Sequence, residues 1–237
     1  MDGNVCVQSL LDLKDVQLRN FARPVQAVAL SPDFKTDRTY LSGGLAGQLI
    51  LTVGGGPGRS TSTTTGTAAA TASGWLGSMG LSSNSGKDTV LHSGEGTISC
   101  IKWSLSGKYV VWLTEHGIKL MRSKSHLESA DSDHAWKRIG HLDRPQTAEW
   151  ETMAGVWRGR VEWIDEKAVE TDETTPSHQS DAVNKPHAQA ANGNRSIERL
   201  LVGWGSSIWF IHVHPGGPGT GKQAGERTAG RAEIAKM

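Results

Sequence analysis

Three stretches of this 237-residue chain repeat one pattern: TYLSGGLAGQLILT (39–52), KYVVWLTEHGIKLMR (108–122) and RLLVGWGSSIWFIHV (199–213). Each is an apolar run, a tight turn holding a glycine (Gly47, Gly117, Gly205) and a second apolar run. A further apolar run precedes each unit: PVQAVALSPD, GTISCIKWSLSGK and RGRVEWIDE. All are short, rich in Val, Ile, Leu and Trp, and bounded by Gly, Ser, Asp or Pro, which is the signature of strands. No long stripe at helical spacing competes with them. Only QTAEWETMAGVW (146–157) is open to a short helix. The chain is expected to be all-β.

Polar strands close the units: DVQLRNF, DTVLHSG and AWKRIGH. With the low-complexity stretches set aside, four strands recur at about 40–45 residues, the period of a propeller blade. Such a blade is an antiparallel sheet with an inner strand, two middle strands and a polar outer one. The count predicts two whole blades, a half blade before them and an unfinished blade after. Propellers close with roughly four to eight blades. Residues 1–237 therefore read as a partial, truncated WD40-like β-propeller, a fragment or a truncated gene model.

Two insertions interrupt it, 54–86 and 166–195. From Ser60 to Gly86 no residue is charged, and from about Glu166 to Arg195 the chain is polar, first acidic and then rich in His, Ala and Asn. Neither composition supports a packed core, so both are expected to be disordered. They also explain why only 36% of residues are hydrophobic while 29 are glycine. A net charge of +1 gives no pull toward nucleic acid. Cys6 and Cys100 form no metal-binding spacing and read as buried thiols. The N-terminus lacks a signal-peptide pattern, and no run reaches the ~18 apolar residues of a membrane span. The expected location is the cytoplasm or the surface of a membrane.

Candidate chemistry is sparse. Gly216–Lys222 satisfies G-x-x-x-x-G-K, whose backbone N–H groups would cradle phosphates. Gln223, however, stands where a Ser or Thr hydroxyl would bind magnesium. The expectation is a Gly/Pro-rich loop between two blade strands, with RAEIAKM starting the outer strand. His212 and His214 share one strand face, but no further ligand sits at a recognisable spacing. The carboxylates of SHLESADSDH (125–134) lack a calcium-loop order. No Ser/His/Asp or G-x-S-x-G arrangement stands out. No catalytic, cofactor or metal residue is assigned, and the protein is expected not to be an enzyme.

Trp103, Trp112, Trp204 and Trp209 lie in strands and are expected to pack between blades. Trp75 lies in the charge-free insertion. On a helical wheel Ala68, Ala69, Ala72, Trp75, Leu76 and Met79 fall within about 120° of arc, the width of one apolar face. Gly74, Gly77 and Gly80 each cost a helix about 1 kcal/mol relative to alanine, so it would stay unfolded in water. An uncharged polar face beside bulky apolar residues resembles a lipid-packing sensor. Trp75, Leu76 and Met79 are thus candidate membrane contacts; the alternative is a plain spacer.

The stretch DTVLHSGEGTISCIKWSLSGKYVVWLTEHGIKLMRS (88–123), with LLVGWGSSIWFIHV (200–213), resembles the β-propeller of the vacuolar protein sorting-associated protein 41 family. RPVQAVALSPDFKTDRTYLSGGLAGQLIL (23–51) is similar to its fungal members. The resemblance implies a non-enzymatic subunit of the HOPS tethering complex. It would tether vesicles and late endosomes to the vacuole or lysosome before fusion. The implied partners are other HOPS subunits, the vacuolar or late-endosomal Rab GTPase and adaptor protein complex 3, on the vacuolar or late-endosomal membrane. The family also carries an α-solenoid and a zinc-binding RING-like module. This chain has no C-x2-C pair, so no zinc site carries over. Two other readings stay open: a P-loop nucleotide-binding protein using Gly216–Lys222, and a generic WD-repeat scaffold of an unrelated complex.

Overall fold

The computed structural model describes residues 2–11, 13, 16–54, 87–94, 96–123, 136–153, 156–164, 197–216 and 229–236. Strands β1 (Asn4–Gln8) and β2 (Val16–Asn20) form a two-stranded sheet. Three antiparallel four-stranded sheets follow. The first joins β3 (Val25–Leu30), β4 (Tyr40–Gly44), β5 (Leu49–Val53) and β6 (Lys87–His92). The second joins β7 (Cys100–Trp103), β8 (Tyr109–Leu113), β9 (Gly117–Arg122) and β10 (Arg138–Asp143). The third joins β11 (Arg160–Ile164), β12 (Glu198–Trp204), β13 (Ser207–Pro215) and β14 (Gly230–Lys236). Strand order within every sheet is sequence order, the up-and-down blade expected from the repeat. Among the described residues two short helices, α1 (Phe34–Asp37) and α2 (Ala148–Met153), lie in connections; α2 falls in the one stretch left open to a helix.

The third unit departs from expectation. It is a complete blade, because β14 pairs with β13 from Pro215↔Gly230 to Phe210↔Lys236. The nine-residue β13 would otherwise leave a row of backbone donors and acceptors unpaired along its far edge.

The core lies between the sheets. Strand β8, YVVWL, is buried at every position because both of its faces are covered. Val110 and Trp112 join Leu41, Leu49, Leu51, Ile101 and Trp103 between the first and second sheets. Tyr109, Val111 and Leu113 join Leu200, Val202, Trp204, Trp209 and Ile211 between the second and third. The four strand tryptophans thus pack between blades, as expected. Each fully buried Leu, Ile or Val contributes about 1.5–3 kcal/mol, so the stacked sheets hold one another. Trp103 Nε1 also donates to the Ala29 carbonyl at 3.1 Å, tying the first strands of two blades together.

A smaller cluster of Val5, Phe21 and Tyr40 seats the two-stranded sheet on the first blade. Beside it Arg19 Nη2 meets Asp88 Oδ1 at 2.7 Å, with side chains only 8% and 14% exposed. Thr52 Oγ1 donates to the same oxygen at 2.8 Å. Burial of the cysteines is corrected: Cys6 is exposed and Cys100 half-buried. Strand alternation explains Cys6, since Val5 takes the inward position beside it.

Candidate interaction rim

The strand order decides where the connections emerge. In an up-and-down blade the first-to-second and third-to-fourth connections share one rim. The second-to-third turns and the sheet-to-sheet passages take the opposite rim. The glycine turns at 45–48, 114–116 and 205–206 therefore lie on the second rim. Gly205 adopts φ +53 there, where a Cβ would be strained.

The β10–β11 passage that carries α2 lies with the glycine turns, while the long first-to-second and third-to-fourth connections depart from the other rim. Trp75, Leu76 and Met79 lie outside the described residues, in the β5–β6 connection, whose flanks Val53 and Lys87 pair with each other. The insertion between β11 and β12 starts from this rim too, as does the acidic stretch 125–134 between β9 and β10. Of the glycine-rich match, Gly216 alone is described; the remainder lies between β13 and β14, whose ends pair at Pro215↔Gly230. The strand ends that flank these separate sequence features thus lie on one side of the molecule.

The described part of that rim is fastened by side chains. Ser31 Oγ donates to Asp37 Oδ2 at 2.8 Å, and the Thr39 N–H donates to Asp37 Oδ1 at 2.9 Å, bracing α1. Ser106 Oγ donates to Glu198 Oε1 at 2.6 Å and links the second blade to the third. The Ser123 hydroxyl donates to the Gly107 carbonyl beneath it. Burial lowers the pKa of Lys108, with Glu198 opposing the shift. The Tyr109 hydroxyl is pushed up to about 12, first by burial and then by Glu198.

Between β3 and β7 this scaffold leaves an open cleft of about 420 Å³. Val28, Leu30, Pro32, Ile101, Trp103 and Leu105 supply its apolar lining, with Lys102 at the side. Val28, Leu30 and Leu105 remain 42%, 45% and 60% exposed. An open apolar cleft with one cation suits docking of an apolar side chain from a partner. Lys102 itself meets Glu162 on β11 at 2.7 Å, an exposed pair that adds little stability. The sequence did carry a signal here. VQAVAL is apolar at both parities, whereas a strand with one wet face alternates.

On the far face of the third sheet, His212 and His214 occur together as their spacing required. The register adds what spacing could not: Glu233 of β14 lies directly opposite His212. Leu201, Ile208 and Phe210 share this face, and Ile208 is largely exposed. Among the described residues no helix is long and apolar enough to cross a membrane.

Comparison with known proteins points one way. Residues 1–64 match the Vps41 β-propeller family model, described as the Vps42 beta-propeller. The chain is 32% identical over 147 residues to the vacuolar protein sorting-associated protein 41 homolog of Solanum lycopersicum, covering 61% of this chain. It is 30% identical over 121 residues, half of its length, to the homolog of Arabidopsis thaliana. Vacuolar protein sorting-associated protein 41 of Saccharomyces cerevisiae is 37% identical over 51 residues, covering 22% of this chain and 5% of the yeast protein. The matches cover 11% and 9% of the two plant proteins, so the chain spans about a tenth of these curated relatives. The resemblance read from the strands is therefore found, over part of the chain and at modest identity.

Proposed function

We propose that the chain is a propeller segment of a vacuolar protein sorting factor, and that it works by docking rather than by catalysis. The observation that carries this reading is the agreement of the family model and the three relatives on one protein name. The blades described above supply the rigid platform such a role needs, since specificity on a propeller resides in the loops it presents. In the finer form of the proposal, it tethers vesicles or late endosomes to the vacuole as part of a HOPS-type complex. The rim with the long connections faces the membrane and a vacuolar Rab GTPase, and traffic through adaptor protein complex 3 uses the same factor. Gly216–Lys222 serves as a loop between strands and not as a nucleotide site.

The test is affinity capture from cell extract with the full chain as bait. HOPS subunits and the GTP-loaded vacuolar Rab are the expected prey. Leu30→Asp with Leu105→Asp alters two exposed residues and should weaken capture while leaving the melting temperature unchanged. Folded bait that recovers none of these proteins overturns the tethering proposal, and recovery of a different complex supports the generic scaffold.

A further inference from the structure

We propose that His212, His214 and Glu233 form a divalent transition-metal site of the zinc class on the outer half of the third blade. The inference is independent of the tethering reading.

The geometry comes from register. His212 and His214 alternate onto one face of β13, and antiparallel pairing sets Glu233 of β14 across from His212. One potential ligand atom from each of the three lies within 4.8 Å of the others. A tetrahedral ion with bonds of about 2.0–2.2 Å needs its ligand atoms roughly 3.4 Å apart. Ion binding would require side-chain rotation to draw these atoms together. Two imidazoles and a carboxylate are a ligand set that zinc accepts, with a fourth position left for water or a further donor.

The surroundings favour ligation over an ordinary cross-strand ion pair. His214 Nε2 stands 3.0 Å from Glu233 Oε1, with the two side chains 20% and 44% exposed. Yet that nitrogen is buried and makes no hydrogen bond of good geometry. A buried imidazole nitrogen 3.0 Å from a carboxylate oxygen and without a hydrogen-bond partner leaves room for an ion that both would ligate. Arg231 Nη1 holds Glu233 Oε2 at 2.9 Å, which orients the carboxylate and leaves Oε1 toward the histidines. Phe210 packs edge-on against His212 at 5.3 Å between ring centroids and limits its rotation. Outer partners of this kind orient ligands in metal sites. A bound ion would link β13 to β14, the outermost strand of the sheet.

The test uses the full chain without a polyhistidine tag. Zn²⁺ titration by calorimetry should show one ion per chain at the highest affinity, and Co²⁺ should develop visible absorption bands from nitrogen and oxygen ligation. Because the chain has nine histidines, His212→Asn with His214→Asn sets the background and should abolish the tight site. Glu233→Gln should weaken Zn²⁺ binding by at least ~10-fold, as a ligand matters no less than its outer partners. Zn²⁺ should raise the melting temperature of the native chain by mass action and leave the double variant unmoved. If the double variant melts early, His212→Asn and Glu233→Gln decide the matter. Unchanged affinity and stoichiometry in those variants, or no tight site in the native chain, overturns the proposal.

Discussion

Gly205→Ala is expected to destabilise the chain far more than Gly203→Ala, two residues away in the same hairpin. Gly205 turns the chain between β12 and β13 at φ +53, and a Cβ there would sit 2.4 Å from Trp157 Cε3. The left-handed backbone costs a non-glycine residue about 1–2 kcal/mol. Forcing a methyl group against a packed ring costs about 1–3 kcal/mol more. Trp157 has little freedom to yield, because Trp150 packs against it at 5.8 Å and Trp204 in turn packs edge-on against Trp150 at 5.5 Å. The sum is about 2–5 kcal/mol, a fall in melting temperature on the order of 10 °C for a chain of this size. Gly203 lies in β12 with nothing within 4 Å of its Cβ position. Alanine there should be neutral or stabilise by up to ~1 kcal/mol through the unfolded state. Thermal unfolding followed by tryptophan fluorescence and by far-ultraviolet circular dichroism separates the two. Equal effects, or Gly205→Ala within ~0.5 kcal/mol of the parent, would refute both the turn strain and the packing of the tryptophan chain.

Breaking the Arg19–Asp88 pair should be costly, since both side chains are nearly enclosed. Arg19→Met is expected to lose about 3–5 kcal/mol by stranding the carboxylate, and Arg19→Met with Asp88→Leu to recover much of it in chemical denaturation. Stability should fall with rising alkalinity between pH 10 and about 12, because burial raises the Tyr109 pKa from 10.0 to about 12. The unfolded chain then releases that proton first, so the stability held below pH 10 is lost toward the folded value. Tyr109→Phe should flatten the slope; Tyr40, raised in the same direction chiefly by burial, supplies what remains. A peptide of residues 60–86 should be unordered in buffer and gain helix on small neutral liposomes, with a blue shift of Trp75 fluorescence. Trp75→Ser with Leu76→Ser should abolish that, and binding only to flat anionic liposomes would defeat the sensor reading.

Much of the architecture is legible in local chemistry. Apolar runs of strand length and glycines at the turns specify hairpins, because alternation and positive φ act over only a few residues. Their recurrence implies a blade, since a single four-stranded sheet leaves apolar surface that only a stacked neighbour covers. The name of a matching family was readable for the same reason: VVWL, and Val202, Trp204 and Trp209 of VGWGSSIW, record positions pressed between sheets. What remained undecided depends on which strand lies beside which. RAEIAKM was read as the start of an outer strand, but that it completes the third blade is decided by its pairing along the long edge of β13. Cys6 sits in an apolar run that promises burial, yet Val5 takes the single covered face. Leu30 and Leu105 come together only once the first strands of two blades pack. Glu233 stands 19 positions beyond His214 in the chain and meets it only through the β13–β14 register, a pairing that no period in the sequence encodes.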